Sequence, residues 1–473
     1  MTRAAISGRW LPQLGKRSGP TYLAIADALE ADLRAGRVKP GDLLPTQREL
    51  ARRLGVNFTT ITRAYAEAHR RGFLTATVGR GTFVADPGAR THDESPRAFQ
   101  DHDLSVNAPP VPTWLNTAFN ETVAGLASDG GSLTQSVLTY SSRLGDAGAR
   151  QAGANWLRWR GIEAETGRVV VTGGAQHALS LVLSTFVKPG EYIVTEQLAY
   201  PGLLNAAALA RVRIAAVGMD DHGMRAEDLD AVCQRVRPKM LFCVPTLQNP
   251  TAAVMSLERR RDILAVARRH QVRVVEDDIC GALYPDAVPL AALAPDEVIH
   301  IASLSKCVAP GLRTAFALLP STSQADRLTA TLRTSLLMLS PLPLAVATTW
   351  IADGVAQKAV ADIRQETTIR AQMARRILGD ECLVAPPGSL HGWLRLPAST
   401  TLASFVAQAQ QQGVRVAPAD WYVTRGDATE AIQVPNAARV TLGAEQDRSR
   451  LEHALRVLAS ILDQPEALRA SSL

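Results

Sequence analysis

The chain has 473 residues, 46% of them hydrophobic, which is enough for about three domains with a large core. Its positive charge is confined to one end, since residues 1–85 hold 14 Lys and Arg against 6 Asp and Glu, whereas the remainder holds 37 against 39. Because no apolar run approaches ~18 residues and the five cysteines form no CxxC pair, the sequence argues against a membrane span, a disulfide framework or a metal site and predicts a cytoplasmic protein.

Two helices are predicted first within residues 15–85. Apolar side chains recur at helical spacing from Tyr22 to Leu33, which indicates an amphipathic helix. Thr46 and Glu49 then form a capping box, in which each side chain satisfies a free backbone N–H of the other residue. The capping box predicts the start of a second helix.

A third helix and a hairpin complete the predicted N-terminal domain. Asn57 is placed to cap the third helix, which carries small hydroxyl groups at its start. Two short strands over 73–78 and 82–85 follow, joined through a glycine-rich tip. This order is typical of a winged helix-turn-helix, whose third helix reads the major groove of DNA. The alternative is a winged helix that binds another protein.

The segment from Leu44 to Val84 contains LPTQRELA, TITRAY and GRGTFV in that order. It resembles the GntR family of bacterial repressors and activators, over residues 20–85. The resemblance implies binding to a double-stranded DNA operator, with contacts from Arg48, Asn57, Thr59, Thr60, Gly79 and Arg80. Arg63 either reaches a phosphate or supports the helix. Phe58 stands where many relatives carry arginine, so one contact is expected to be lost or replaced by an apolar one.

The polar segment 86–103 predicts a linker, because it is charged and poor in aliphatic residues. Beyond it, over residues 104–465, short β-branched runs alternate with helical patterns. The runs 168–172, 239–244 and 272–276 are almost continuously apolar, as buried parallel strands are. The sequence therefore predicts a doubly wound α/β domain.

Lys306 follows Ala-Ser-Leu-Ser, and Arg313 lies seven residues further on. A lysine beside hydroxyl groups and an arginine suits a Schiff-base site for pyridoxal phosphate (PLP), with Ser303, Ser305 and Arg313 around the phosphate. A Gly-Gly turn that opens a helix can offer backbone N–H groups to the same phosphate, although many such turns bind nothing. The residues of this turn are Gly174, Ala175 and Gln176.

Four further residues match the other needs of the cofactor. Asp277 follows a predicted strand and would keep the pyridine nitrogen protonated, unless it only caps a helix. Asn249 could donate to the phenolic oxygen, and Tyr200 could stack on the ring. Arg439 is a candidate for the ligand carboxylate or, alternatively, a surface arginine on an edge strand.

Together these residues make 104–465 resemble the fold-type I aminotransferases, and the fusion to a GntR-type head is similar to the MocR subfamily of bacterial regulators. The resemblance implies a doubly wound large domain and a smaller α+β domain over about 350–465, with Lys306 forming the Schiff base. It also implies a homodimer with shared sites, in which Tyr140 reaches the phosphate bound by the neighbouring subunit.

Cys280 departs from the aminotransferase pattern. Relatives usually carry tyrosine near this point, and its hydroxyl donates to the phenolic oxygen of the cofactor. Cysteine is a shorter and weaker donor. We therefore expect PLP binding to persist and efficient transamination to be weakened.

Three functions fit these features. The first is a transcription regulator that senses PLP, a vitamin B6 relative or an amino compound through Lys306, with 86–103 as its hinge. The second is a working aminotransferase that acts on an amino acid, and the third is a DNA-binding scaffold without cofactor. The candidate PLP residues serve the first two equally. The basic winged helix and Cys280 favour the regulator.

Overall fold

The computed structural model describes residues 10–12, 21–39, 41–70, 73–77, 81–84, 102–128, 132–140, 147–426 and 433–463. The chain divides into two compact units, Met1–Ala98 and Phe99–Leu473. Within the described residues, no helix is long and apolar enough to span a membrane.

The first unit holds three helices and a two-stranded antiparallel sheet. These elements are α1 (Thr21–Arg34), α2 (Gln47–Leu54), α3 (Phe58–Arg70), β1 (Leu74–Thr77) and β2 (Gly81–Val84). The three helices and the hairpin follow the predicted order. Residues 79 and 80 of the predicted wing tip lie outside the described residues.

Local capping defines the ends of α2. The Thr46 hydroxyl accepts from the Glu49 N–H at 3.3 Å, as the capping box predicts. Gly55 ends the helix with φ +65°, a left-handed conformation that glycine adopts at little cost, and its N–H returns to the Ala51 and Arg52 carbonyls. The helix therefore turns sharply into α3, which is the geometry of a helix-turn-helix.

The second unit is built of alternating helices and strands. Its helices are α4 (Trp114–Ser128), α5 (Ser132–Leu138), α6 (Ala147–Trp159), α7 (Ala175–Phe186), α8 (Pro201–Leu209), α9 (Ala226–Val236), α10 (Leu257–Arg269), α11 (Leu290–Leu293), α12 (Thr322–Ser335), α13 (Pro341–Ala352), α14 (Val355–Leu378), α15 (Leu402–Gln411) and α16 (Arg448–Leu462). Its strands are β3 (His102–Asp103), β4 (Val169–Thr172), β5 (Tyr192–Glu196), β6 (Arg213–Val217), β7 (Met219–Asp220), β8 (Gly223–Met224), β9 (Met240–Cys243), β10 (Arg273–Asp277), β11 (Val298–Ser303), β12 (Ala315–Leu318), β13 (Leu383–Val384), β14 (His391–Arg395), β15 (Val414–Arg415), β16 (Ala417–Pro418) and β17 (Ala437–Thr441).

The main sheet has seven strands in the order β4-β12-β11-β10-β9-β5-β6. All are parallel except β12, which runs antiparallel to both of its neighbours. Alternate residues of β4 pack on opposite faces, Val169 and Val171 in one core cluster and Val170 in another. A sheet covered by helices on both faces explains why its strands are continuously apolar, and it confirms the predicted doubly wound fold.

A four-stranded antiparallel sheet, ordered β13-β14-β17-β16, forms the smaller part of this unit. Helices α15 and α16 pack with it around a separate core that includes Phe405 and Leu455. The residues 102 and 103, which the sequence assigned to the linker, form β3 and pair with β15. Leu104 is fully buried in the same core, so packed structure begins before the predicted start at 104.

Candidate functional site

A cavity of ≈ 320 Å³ lies in the second unit, at the carboxyl ends of strands in the main sheet. Ligand sites of open α/β sheets form at this edge, because the loops that follow parallel strands converge there. Ten residues predicted from the sequence line the cavity: Ala175, Gln176, Tyr200, Asn249, Asp277, Ser303, Ser305, Lys306, Arg313 and Arg439. Tyr140 is 82% exposed and does not line it.

Lys306 lies three residues after β11 and is largely enclosed. Its Nζ donates to the backbone carbonyl of Asn107. Burial is the main cause that lowers the pKa of the Lys306 ammonium, and the cations Arg439 and Arg313 act in the same direction. The neutral, nucleophilic amine is therefore easier to reach than for an exposed lysine.

A cradle of donors stands at one end of the cavity. Gly174 precedes α7 with φ +98°, and a Cβ at this position would overlap Nη2 of Arg313. Glycine is therefore required for the guanidinium to lie against the start of the helix. Arg313 donates to the Ser305 hydroxyl at 3.2 Å, and the Ser303 hydroxyl accepts from the Ser305 N–H at 3.2 Å. A guanidinium, hydroxyls and a helix N-terminus together fit a phosphate.

Asp277 ends β10 and is 6% exposed. Burial is the largest cause that raises the pKa of its carboxyl to about 7, while the Ile279 N–H, which donates to it at 3.3 Å, partly opposes the shift. The helical turn that follows begins only at Gly281, so the side chain is not a helix cap. A buried carboxyl that faces a cavity fits a cationic N–H partner such as a protonated pyridine.

Arg439 lies on β17, an inner strand of the smaller sheet, and is 6% exposed. The alternative of a surface arginine on an edge strand is therefore wrong. Its Nη1 donates to Asn249 Oδ1 at 2.8 Å, and its Nη2 donates to the Ser105 carbonyl at 2.5 Å. Since Oδ1 of Asn249 accepts, the amide nitrogen of that residue is left as the donor.

Tyr200 and Cys280 also line the cavity. Tyr200 immediately precedes α8, and burial raises the pKa of its hydroxyl. Burial likewise raises the pKa of the Cys280 thiol to about 12, so the thiol stays protonated at neutral pH. Cys280 can thus offer only the weak S–H donor that the sequence analysis expected.

The cavity residues that the sequence analysis missed include Asn107 and His391. Asn107 follows β3 in a short segment without a motif, and His391 is a lone histidine at the start of β14. Burial lowers the pKa of the His391 imidazole to about 3, so the ring is neutral. Nothing in the local sequence signals either residue, because only the fold brings them to Lys306.

The described candidate DNA-binding residues of the first unit lie on α2, directly before α3 and within the first six residues of α3. Asn57 caps α3, since its Oδ1 accepts from both the N–H and the hydroxyl of Thr59 at 3.0 Å. Arg48 and Arg63 are exposed, and Thr60 is half-buried. Gly79 and Arg80 lie outside the described residues.

Phe58, the departure from the GntR pattern, is 45% exposed at the first position of α3. An exposed apolar side chain therefore lies at the N-terminus of the predicted recognition helix. This position is compatible with the expected apolar contact to DNA in place of an arginine contact.

Two family models match the chain in succession. "Bacterial regulatory proteins, gntR family" matches residues 21–84, and "Aminotransferase class I and II" matches residues 102–458. Together they cover both predicted domains.

Known transcriptional regulators are similar over most of the chain. YdeF, an uncharacterized HTH-type transcriptional regulator of Bacillus subtilis, is 30% identical over 471 residues, 96% of this chain and 97% of that protein. TauR, an HTH-type transcriptional regulator of Rhodobacter capsulatus, is 26% identical and covers 81% and 86%. The crystal structure of LysN, an α-aminoadipate aminotransferase of Thermus thermophilus complexed with phosphopyridoxyl-leucine, matches 78% of this chain and 93% of LysN with a TM-score of 0.69 and 25% identity.

These matches confirm the resemblance drawn from the sequence. The winged-helix unit and the aminotransferase fold occur in one chain, in the same order as in the regulators that match it end to end. The chain belongs to the MocR subfamily of GntR-type transcription regulators, in which a helix-turn-helix head is fused to an aminotransferase-fold domain.

Proposed function

We propose that the protein regulates transcription in response to PLP or a small amino compound that is bound at Lys306. The first unit would bind a double-stranded DNA operator through Arg48, Asn57, Thr59, Thr60 and Arg63, together with Gly79 and Arg80. The second unit would hold the cofactor and the effector. The cell compartment we propose is the cytoplasm.

The cavity residues would divide the work of holding PLP. When bound, PLP supplies an aldehyde that reacts reversibly with amines. Lys306 offers a desolvated amine of lowered pKa to that aldehyde. Ser305 and Arg313 would hold the phosphate with the first N–H groups of α7, and Asp277 would hold a proton at the ring nitrogen.

One observation supports a sensor in particular. The segment directly after the linker contacts both candidate ligand-binding cations, since Arg439 donates to the Ser105 carbonyl and Lys306 donates to the Asn107 carbonyl. A ligand carboxylate would compete with the Ser105 carbonyl for the hydrogen bond from Arg439. A Lys306 side chain that is bonded to the cofactor would have fewer protons to donate to the Asn107 carbonyl. Ligand binding would therefore change the interactions of a segment that is continuous with the linker.

This segment is anchored immediately before it reaches the cavity. Leu104 accepts from the Thr441 N–H at 2.9 Å and donates to the Arg415 carbonyl at 2.8 Å. His102 Nδ1 lies 2.9 Å from Glu445 Oε1. A change in the hydrogen bonding of Asn107 would therefore act on a segment whose preceding residues, His102 and Leu104, are held in place by hydrogen bonds.

We also propose a homodimer in which each subunit completes the site of the other. Tyr140 supports this proposal. Its side chain is 82% exposed, although the family resemblance implies that it contacts the phosphate bound by the neighbouring subunit. A partner subunit would cover this side chain.

Replacement of Lys306 tests the proposed function. In Lys306→Ala we expect operator binding to persist, while its change on addition of PLP and amino compounds disappears. Electrophoretic mobility shift or fluorescence anisotropy of labelled operator DNA would measure both. Lys188→Ala, which removes an exposed lysine away from the cavity, is the matched control. A Lys306→Ala protein that still responds to the effector would contradict the proposal.

The second candidate function is an aminotransferase, because the cavity retains the lysine, the acid and the donor cradle of that fold. Cys280 in place of a hydroxyl donor weighs against it. Incubation of the PLP-loaded protein with single amino acids would separate the two: rapid conversion of bound PLP to the pyridoxamine form, reversed by an oxo acid, would establish the enzyme.

A further inference from the structure

Asn107 contacts Lys306 and His391 with different groups. Its backbone carbonyl accepts from Lys306 Nζ, and its side-chain Nδ2 lies 3.3 Å from His391 Nδ1. All three residues line the cavity. Asn107 therefore lies beside the amine to which the cofactor would be attached.

The hydrogen bonds of His391 determine which way the Asn107 amide points. His391 Nε2 lies 3.0 Å from the Gln248 carbonyl, which can only accept, so Nε2 carries the proton. His391 is 1% exposed and neutral, and its Nδ1 is therefore an acceptor. That acceptor requires the NH₂ group of Asn107, which leaves Asn107 Oδ1 on the other side of the amide.

Asn107 Oδ1 is enclosed and lacks a hydrogen-bond partner among the residues that the structure describes. Buried acceptors are rarely left unpaired in native proteins. Arg439 Nε is a second enclosed atom without a partner in the same described part of the chain. Gln176 Oε1 is a third such atom on a lining residue, at the start of α7 beside the phosphate cradle. The lining thus presents one unused cationic donor and two unused neutral acceptors, of which Asn107 Oδ1 belongs to the residue that contacts Lys306.

The charges of the lining indicate which donor the acceptor would receive. The guanidinium groups of Arg313 and Arg439 give the lining a surplus of positive charge, because burial favours the neutral forms of Lys306 and Asp277. A second ammonium group on the ligand would be repelled by this surplus. A neutral hydroxyl satisfies the acceptor without that repulsion.

We propose that Asn107 determines ligand specificity, with its Oδ1 accepting a hydrogen bond from a side-chain hydroxyl of the effector. The effector is then an amino acid that carries both a carboxylate for Arg439 and a hydroxyl. This inference rests on the proposed function, because it requires amino compounds to enter the site at Lys306.

Matched pairs of amino acids test the inference in the full-length, PLP-loaded protein. Serine and 2-aminobutyrate, threonine and valine, and homoserine and norvaline differ only by hydroxyl against methyl. Titrations that follow the visible absorption of bound PLP would give an apparent Kd for each. In at least one pair we expect the hydroxyl member to bind about tenfold more tightly, since a buried acceptor left unpaired is costly.

Two variants separate the acceptor from the shape of the cavity. Asn107→Leu keeps the size of the side chain but removes Oδ1, and we expect it to reduce the preference to about twofold or less. Val106→Ala alters the neighbouring lining residue without removing an acceptor, and it should retain the preference. Retained PLP absorption in each variant shows that the site is folded.

The outcomes are distinguishable. A wild-type protein without preference in all three pairs, or a preference that survives in Asn107→Leu, would overturn the role of Asn107 while the response to amino acids remains. If none of the six compounds alters the absorption of bound PLP or the binding of operator DNA, this inference fails, whereas operator binding that responds to PLP itself through Lys306 would still uphold the proposed function.

Discussion

Lys306 and Asp277 are both buried in the cavity, and burial drives each toward its neutral form. Desolvation lowers the pKa of the Lys306 ammonium and raises the pKa of the Asp277 carboxyl to about 7. For the lysine this favours the nucleophilic amine. For Asp277, burial makes the ionised carboxylate unfavourable, and a cationic partner would offset that cost. The two residues are therefore suited to PLP by one physical cause that acts on opposite charges.

Asp277 should make the stability of the cofactor-free protein depend on pH. Its pKa is about 7 when folded and about 4 when unfolded, so the folded state holds the proton over a window in which the unfolded state has lost it. Its contribution to stability is therefore present below pH ~4 and is lost as the pH rises to ~7. Asp277→Asn, which cannot ionise, should flatten this slope.

Thermal unfolding of the cofactor-free wild type and variant at a series of pH values would measure the effect. Asp326→Asn, an exposed carboxyl on α12, serves as the control and should leave the slope unchanged. Equal slopes for wild type and Asp277→Asn would show that Asp277 is ionised throughout this range.

At the scale of elements, polar side chains hold α3 against α2 and the loop before it. The Tyr65 hydroxyl donates to the Pro45 carbonyl at 2.7 Å in a buried position, and the Thr62 hydroxyl donates to Gln47 Oε1 at 2.9 Å. Leu50 of α2 and Ile61 of α3 are fully buried in the same core, and their apolar contacts have no directional preference. The two hydrogen bonds supply that preference. The angle between the two helices therefore depends on a few identifiable groups.

Tyr65→Phe should lower the stability of the packing between α3 and α2 by about 1–3 kcal/mol, because the buried Pro45 carbonyl is left without its donor. Hydrogen exchange of the α3 amides would report the local loss, and operator affinity should fall with it. Tyr22→Phe, on α1, removes a hydroxyl from a half-buried position and is the comparison. Unchanged exchange in α3 would mean that apolar packing alone sets the helix angle.

At the scale of the whole molecule, positive charge is separated from the ligand-binding part. The first 85 residues carry a formal excess of positive charge, whereas the rest of the chain is slightly negative. Binding to the phosphate backbone releases counterions, so affinity falls with salt in proportion to the number of phosphates contacted. Only the first unit should contribute to this dependence.

Arg48→Ala should therefore weaken operator binding and reduce the slope of log K against log salt by about 0.9 if Arg48 contacts one phosphate. Arg37→Ala is a suitable control, since Arg37 follows α1 and pairs with Asp32 at 2.6 Å. Anisotropy titrations at several salt concentrations give both slopes. A slope that is equally reduced in both variants would point to general charge rather than a specific contact.

The sequence predicted most of the fold because its signals are local. Continuous apolar runs marked β4, β9 and β10, and Thr46 with Glu49 marked the start of α2. Ten residues predicted from the sequence line the cavity, and all of them except Arg439 belong to short motifs at strand ends or in the adjoining loops and helix starts. Asn107 and His391 could not be found in this way, because their importance comes from contacts across 284 positions of the chain.

What the sequence determined by itself is the order of the two units, the family and the chemical set of lysine, acid, arginine and hydroxyls, since these depend on short-range patterns of residue type. Only the tertiary structure decided the burial of Arg439 on an inner strand, the shifted pKa values of Asp277 and Lys306, and the contacts of Ser105 and Asn107 with the site. Burial and long-range hydrogen bonds depend on which surfaces meet after folding. No local pattern of residues specifies that.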